Sequence, residues 1–273
     1  MQMLKIVLMV ILIILVVLVI AYLYMLKPNK RRDTSYFEHK YYAHRGLHDE
    51  NVPENSLTAF RLARENGYGV ELDVQMTKDG QLVVFHDGNL NRMCGVDANL
   101  RDFTYEELQK LRLKGTDEYI PLFSEVLKTL DGADLICEIK PDNGMKFYEL
   151  CERTLEMLNS YKGRFIVESF SPFLMGWFKK NHPEIIRGQL SENFVKSNKL
   201  NIQNFCMAGL CVNVISRPDF VAYNHLHAGT LGFKLCKAIY KPFTVAWTAK
   251  GKAEQESAEK IFDAVIFEKN ART

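Results

Sequence analysis

The chain has 273 residues, a formal net charge of +2 and six cysteines. A near-neutral balance leaves no basic footprint for nucleic acid, so no nucleic-acid partner is expected. The cysteines (Cys94, Cys137, Cys151, Cys206, Cys211, Cys236) show neither a CxxC pair nor a zinc spacing and accord with a reducing compartment, in a chain long enough to need no disulfide staples.

After a short tail at 1–5, the first predicted element is an unbroken apolar run over 6–26. At about 1.5 Å per residue it spans roughly 30 Å, the thickness of a bilayer core. No small-residue cleavage site follows, so the run reads as an uncleaved, single-pass anchor. Tyr22 and Tyr24 suit an interfacial belt, and Lys27, Lys30, Arg31 and Arg32 follow, against only Lys5 and the terminal amine before the run. That bias predicts a cell-membrane protein with its C-terminal body in the cytoplasm. Residues 27–40 read as a basic juxtamembrane linker that also touches anionic headgroups.

From 41 to 273 short apolar runs rich in β-formers (41–45, 69–74, 135–140, 165–169, 185–190, 219–223, 243–248, 264–267) alternate with helical patterns (56–66, 122–130, 146–158, 173–181, 254–262). Eight strands with helical crossovers in about 230 residues predict an α/β fold, a TIM (β/α)8 barrel. The run 82–86 lies too near 69–74 for a parallel return, so it folds back antiparallel over the Asp79-Gly80 turn. Residues 88–120, with a short helix over 104–113, form a small insertion after the second strand.

The stretch "GVELDVQMTKDGQLVVFHDG" (69–88) places Glu71 and Asp73 two residues apart in an apolar strand. They therefore share one face, while Val70, Leu72 and Val74 share the other. Two adjacent carboxylates resist desolvation unless a positive partner compensates. Barrel enzymes carry their sites at the C-terminal ends of the strands. There this chain offers His44-Arg45, Glu71 and Asp73, Glu138 with Lys140, Glu168-Ser169 and Trp247-Thr248, and the hairpin adds His86. Carboxylates without thiols favour one hard divalent cation, Mg²⁺ or Ca²⁺. Arg45 and Lys140 suit a phosphate, and two histidines suit acid and base. Taken singly each has a plainer role: Glu138–Lys140 as a strand-end ion pair, Pro53-Glu54-Asn55-Ser56 as a helix start, Asp87 as a cap, Trp247 as core.

In this order, "AHRG", "PENS", "ELDVQMTKDGQLVVFHD", "CEIK", "ESFSP" and "VAWT" make residues 41–269 resemble the glycerophosphodiester phosphodiesterase family, as a membrane-anchored bacterial-type member. The resemblance implies a TIM barrel that hydrolyses glycerophosphodiesters to sn-glycerol 3-phosphate and an alcohol with a divalent metal. It further implies that His44 and His86 are the acid/base pair, that Glu71, Asp73 and Glu138 bind the metal, and that Arg45 and Lys140 contact phosphate, with Trp247 at the substrate. The expected partners are a small glycerophosphodiester or a lysolipid, and the membrane. Two departures bear on substrate preference: Ala249-Lys250 after "VAWT", and "DAVIFEKN" in place of a more usual "IITDxP". Alternative readings are a lysophospholipase D activity on membrane lysolipids and a catalytically silent, tethered glycerophosphate-binding module.

Overall fold

Residues 1–29, 40–141, 147–197 and 201–269 are described by the computed structural model. Their strands are β1 (Tyr41–His44), β2 (Gly69–Met76), β3 (Leu82–Val84), β4 (Leu135–Ile139), β5 (Phe165–Ser169), β6 (Arg187–Ser191), β7 (Phe220–Asn224), β8 (Phe243–Lys250) and β9 (Ala264–Glu268). All but β3 run parallel in chain order, and β1 pairs with both β2 and β9, which closes the expected eight-stranded barrel. β3 lies antiparallel on the overhanging end of β2, pairing Val74 with Val84 and Met76 with Leu82, so the predicted hairpin forms.

Period-two alternation divides the apolar residues between two cores. Val70, Leu72 and Val74 face outward against the helix layer. Tyr42, Ile136, Ile166, Phe220, Val245 and Ile266 fill the barrel interior. Gly188 makes room there for the Phe220 ring, since a Cβ at that position would lie 2.1 Å from it. The insertion has a small core of its own, built on Val83, Phe85, Leu90, Leu108 and Ile120.

Helices Leu57–Glu65, Phe123–Leu130, Phe147–Asn159 and Pro172–Asn181 lie where periodicity predicts them, with Ser56 and Ser171 accepting hydrogen bonds as N-caps. Lys146, the expected start of the third, lies outside the described residues. Three expectations shift. The last helix is Gly251–Ala258 rather than 254–262, starting where Gly251 takes a positive φ. The helix expected over 104–113 shortens to Tyr105–Leu108, and Lys114 sits in the left-handed region. A helix at Leu231–Tyr240, with the shorter Phe194–Ser197, Ile202–Ala208 and Asn213–Ser216, was not anticipated. Gly232 weakens the helical signal at its start but is required by packing, because a Cβ there would lie 2.6 Å from the Gly209 carbonyl oxygen.

The apolar run forms one helix, Gln2–Leu26, which begins a turn earlier than the run itself. It is long and apolar enough to cross a membrane, with mean hydropathy 3.6. Its last turn is seated on the barrel. Asn213 Nδ2 donates to the Leu26 carbonyl (3.0 Å), Tyr240 OH to that of Leu23 (2.7 Å), and Arg217 Nη1 to those of Tyr24 (3.0 Å) and Lys27 (2.6 Å). Side chains of the barrel thus satisfy the carbonyls that a helix end leaves open. Lys30, Arg31 and Arg32 of the expected linker lie outside the described residues.

Candidate active site

β2 carries Glu71, Asp73 and Gln75 on its inward face, and β4 and β5 add Glu138 and Glu168 in register, with Asp73 opposite Glu138 and Glu138 opposite Glu168. All four carboxylates are buried. One oxygen each from Glu71, Asp73 and Glu138 falls within 4.8 Å of the others. Burial, and then repulsion from Asp73, Glu138 and Glu168, raises the Glu71 carboxyl well above its usual range. Glu138 is raised to about 7 by burial despite Lys140, and Glu168 is raised by burial and by Glu138. Asp73 goes the other way, since Lys140, Arg45 and Asn55 outweigh the effect of burial.

His44 ends β1 beside Glu71, its Nε2 3.9 Å from Glu71 Oε2. Its Nδ1 donates to Glu268 Oε1 at 2.7 Å, which leaves Nε2 as the proton acceptor. Burial pushes this imidazole down to about 4 against the pull of Glu268, so the ring is neutral. His86 repeats the arrangement from the hairpin. Its Nδ1 donates to Asp87 Oδ1 (2.6 Å), and Asp87 is held by Arg92 Nε (2.6 Å). Gln75 Nε2 donates to the carbonyls of Phe85 (2.7 Å) and Asp87 (2.9 Å) and so fixes the backbone on both sides of His86.

The two cations expected to contact phosphate are paired with carboxylates here. Arg45 meets Glu54 (2.6 Å) and Asp73 (3.2 Å), and Lys140 meets Asp73 and Glu138 (3.2 Å each). Arg45 holds a left-handed φ of 55°, and Gly46 follows at 79° with Ala59 so close that a Cβ would lie 2.7 Å from its carbonyl carbon. Strain of this kind persists where surrounding structure fixes it. Asn55 supplies part of that fixing, because its backbone N–H donates to the Arg45 carbonyl and its Nδ2 to Asp73 Oδ2, both at 2.9 Å. Sequence reasoning read "PENS" as a helix start, and Ser56 is that cap. Glu54 and Asn55 add a second role, visible only in three dimensions.

Four positioning residues were missed: Glu54, Asn55, Gln75 and Glu268. Glu54 and Asn55 carried a signal in "PENS", and Gln75 in the alternation it shares with Glu71 and Asp73, whereas Glu268 stood only in the "DAVIFEKN" departure. His44, Arg45, Glu71, His86, Glu138, Glu168 and Trp247 line one cavity of about 90 Å³. Trp247 packs edge-on against Phe170 (5.4 Å between centroids), and among the described residues neither its Nε1 nor Oε2 of Glu168 has a hydrogen-bond partner. This all-oxygen set around an unpartnered, buried carboxylate oxygen fits a hard divalent cation.

A closed parallel barrel with acids, histidines and cations gathered at its C-terminal mouth is the layout of a TIM-barrel enzyme. The comparisons narrow this. The glycerophosphoryl diester phosphodiesterase family model matches residues 44–222, well over half of the chain, and the chain belongs to that family. It is similar to a glycerophosphodiester phosphodiesterase of Caldanaerobacter subterraneus (37% identity over 54% of this chain and 65% of that protein) and to one of Bacillus altitudinis (32%, over 64% and 76%). A lysophospholipase D of Rattus norvegicus is 34% identical over 48% of this chain and 45% of its own. Among solved structures, the Thermotoga maritima glycerophosphodiester phosphodiesterase superposes with a TM-score of 0.65 at 29% identity, covering 84% of this chain and 93% of that one. An Oleispira antarctica phosphodiesterase in complex with the product sn-glycerol-3-phosphate shares the fold, with a TM-score of 0.69 at 24% identity over 84% and 92%.

Proposed function

We propose that the chain hydrolyses glycerophosphodiesters to sn-glycerol 3-phosphate and an alcohol, with His44 as initial base and His86 as initial acid. The observation that carries this is the pair of histidines, each oriented through Nδ1 by a carboxylate and both lining the cavity that holds the acid cluster. Glu71, Asp73 and Glu138 would hold one Mg²⁺ or Ca²⁺, which when bound supplies positive charge for the phosphoryl oxygens. Arg45 and Lys140 contact the phosphate and share its charge with their carboxylate partners. His44 Nε2 takes the proton from the glycerol hydroxyl next to the phosphate, and that oxygen attacks phosphorus to give a cyclic phosphate. His86 begins as the imidazolium, its charge balanced by Asp87 at Nδ1, and donates its Nε2 proton to the departing alcohol; it is the more exposed of the two, with 31% of its side chain accessible against 14% for His44. Water then opens the ring with the roles reversed.

The helix Gln2–Leu26 supports a membrane anchor, and the basic residues after it support a cytoplasmic body. The lysophospholipase D relative supports a lysolipid as a further diester substrate. The test is turnover of glycerophosphocholine, glycerophosphoglycerol and a lysophospholipid by the full chain in detergent, with and without EDTA. Turnover lost with EDTA and in His44→Ala and His86→Ala is expected. Turnover indifferent to all three would overturn the reading, and none at all would favour a silent binding module. A C-terminal reporter active only outside the cytoplasm would overturn the orientation.

A further inference from the structure

Large apolar side chains lie open to solvent on the mouth side of the barrel, in the segments that follow β5, β6 and β7. Ile202 (78% exposed) and Phe205 (55%) project from the helix Ile202–Ala208 after β6, and Leu226 (70%) and Leu231 (68%) from the segment after β7. Phe173 (64%) extends the set to the segment after β5. Isolated exposed apolar residues need no explanation, but a contiguous group marks a contact surface. Lys196 and Lys234, in the segments after β6 and β7, are both exposed.

Contacts of the apolar helix indicate what covers this group. Tyr22 OH donates to the carbonyl of Gly209, the residue that ends Ile202–Ala208 (3.3 Å). Gly232, next to Leu231, packs on the same Gly209. Tyr22, the end of the Phe205 helix and the start of the Leu231 helix therefore meet at one point. At about 1.5 Å of rise per residue, Phe205 and Ile202 lie within roughly 10 Å of Gly209. Residues 6 to 20 of the anchor, which start less than a turn from Tyr22 and run away from it for about four turns, are exposed apolar surface. The apolar group on the barrel thus continues that of the anchor, and a hydrocarbon boundary that takes one meets the other.

We propose that Ile202, Phe205, Leu226 and Leu231 insert into the interface of the bilayer that the anchor crosses, with Lys196 and Lys234 at the headgroups, so that the flank of the barrel that seats the anchor lies on the membrane. The proposal rests on the anchor reading above. It brings the mouth-side rim after β6 and β7 to the membrane surface, within reach of a phosphodiester that carries an acyl chain. The apolar body and basic rim are those of an interfacial surface, which binds through buried apolar area and attraction to anionic lipid.

The full chain, reconstituted in phosphatidylcholine–phosphatidylglycerol vesicles with or without brominated acyl chains, tests this. Phe205→Trp and, independently, Leu231→Trp are expected to add emission that brominated lipid quenches, beyond the background of Trp177 and Trp247. Tyr148→Trp, exposed on the helix after β4 and across the barrel from the anchor's seat, is expected to add emission that stays unquenched. In the same vesicles Ile202→Ser with Phe205→Ser is expected to lower kcat/KM for a lysophospholipid roughly ten-fold while leaving glycerophosphocholine unchanged. If the parent chain floats with vesicles but Phe205→Trp and Leu231→Trp are quenched no more than Tyr148→Trp, the interfacial surface is overturned and the anchor stands. If the parent does not float, the anchor reading falls and takes the proposal with it.

Discussion

Glu268 is the residue on which His44 depends. The 2.7 Å bond to Nδ1 sets the tautomer that leaves Nε2 free, and it opposes the burial that drives the imidazole down to about 4. Glu268→Gln weakens that opposition, so protonation of His44 should move to still lower pH. The acidic limb of the kcat/KM profile then shifts toward acid, with the plateau roughly ten- to a hundred-fold lower because the ring loses its orienting charge. A pH–rate profile of the variant against the parent shows both effects. The acid role of His86 calls for a different measurement. His86→Ala should lose roughly 10²- to 10⁴-fold on glycerophosphocholine but recover most of that loss on a p-nitrophenyl diester, whose leaving group needs no proton. His44→Ala should recover nothing, and equal recovery in both variants would reverse the assignment.

At the scale of elements, the turn after β1 and the hairpin after β2 are the two devices that aim histidines. The first depends on Gly46, whose positive φ and contact with Ala59 exclude a side chain. Gly46→Ala is therefore expected to cost about 1–3 kcal/mol in denaturant unfolding, and to misplace His44 more than it perturbs the barrel. The second depends on Gln75, which holds the carbonyls flanking His86, and on a small apolar core beneath the insertion. Alternation along "VELDVQ" made the shared face of Glu71 and Asp73 legible from sequence, and strand-end position made Glu138, Lys140 and Trp247 legible as well. Glu268 was not, because its role is a contact with a residue 224 positions away. Gln75 lay in plain view on the acids' own face, but only the path of the hairpin gives its amide two carbonyls to hold. The helix Leu231–Tyr240 escaped notice for a related reason: its Gly232 reads as a breaker until Gly209 is seen against it.

Over the whole molecule, the mouth concentrates negative charge that folding alone does not neutralise, and this links metal, protons and stability. Glu138 has its pKa raised to about 7 and Glu71 is raised well above its usual range, so in the metal-free fold both favour the protonated form. A carboxyl whose folded pKa exceeds its unfolded value stabilises fully below the unfolded value, and that contribution is lost as pH rises through the folded one. Glu54 and Glu268 have the opposite sense, both lowered to about 2 as Arg92 and Arg45, and His44, outweigh burial. Their stabilisation holds at neutral pH and fails only as pH falls toward 2. Metal-free protein is therefore expected to lose thermal stability from about pH 5 upward through pH 7. A divalent cation should restore that loss, because its ligands bind it deprotonated and must release protons to do so. With metal at about a hundred times Kd the linkage is worth about 2.7 kcal/mol. The rise in Tm on adding Mg²⁺ or Ca²⁺ to EDTA-treated protein should accordingly be larger at pH 8 than at pH 6, with protons released into a weakly buffered solution on titration at pH 7. Glu138→Gln, which removes one proton to be displaced along with the ligand, should lower that release to the share of Glu71 and reduce the pH dependence of the metal-free Tm. An equal Tm rise at both pH values would place the cation away from these carboxylates.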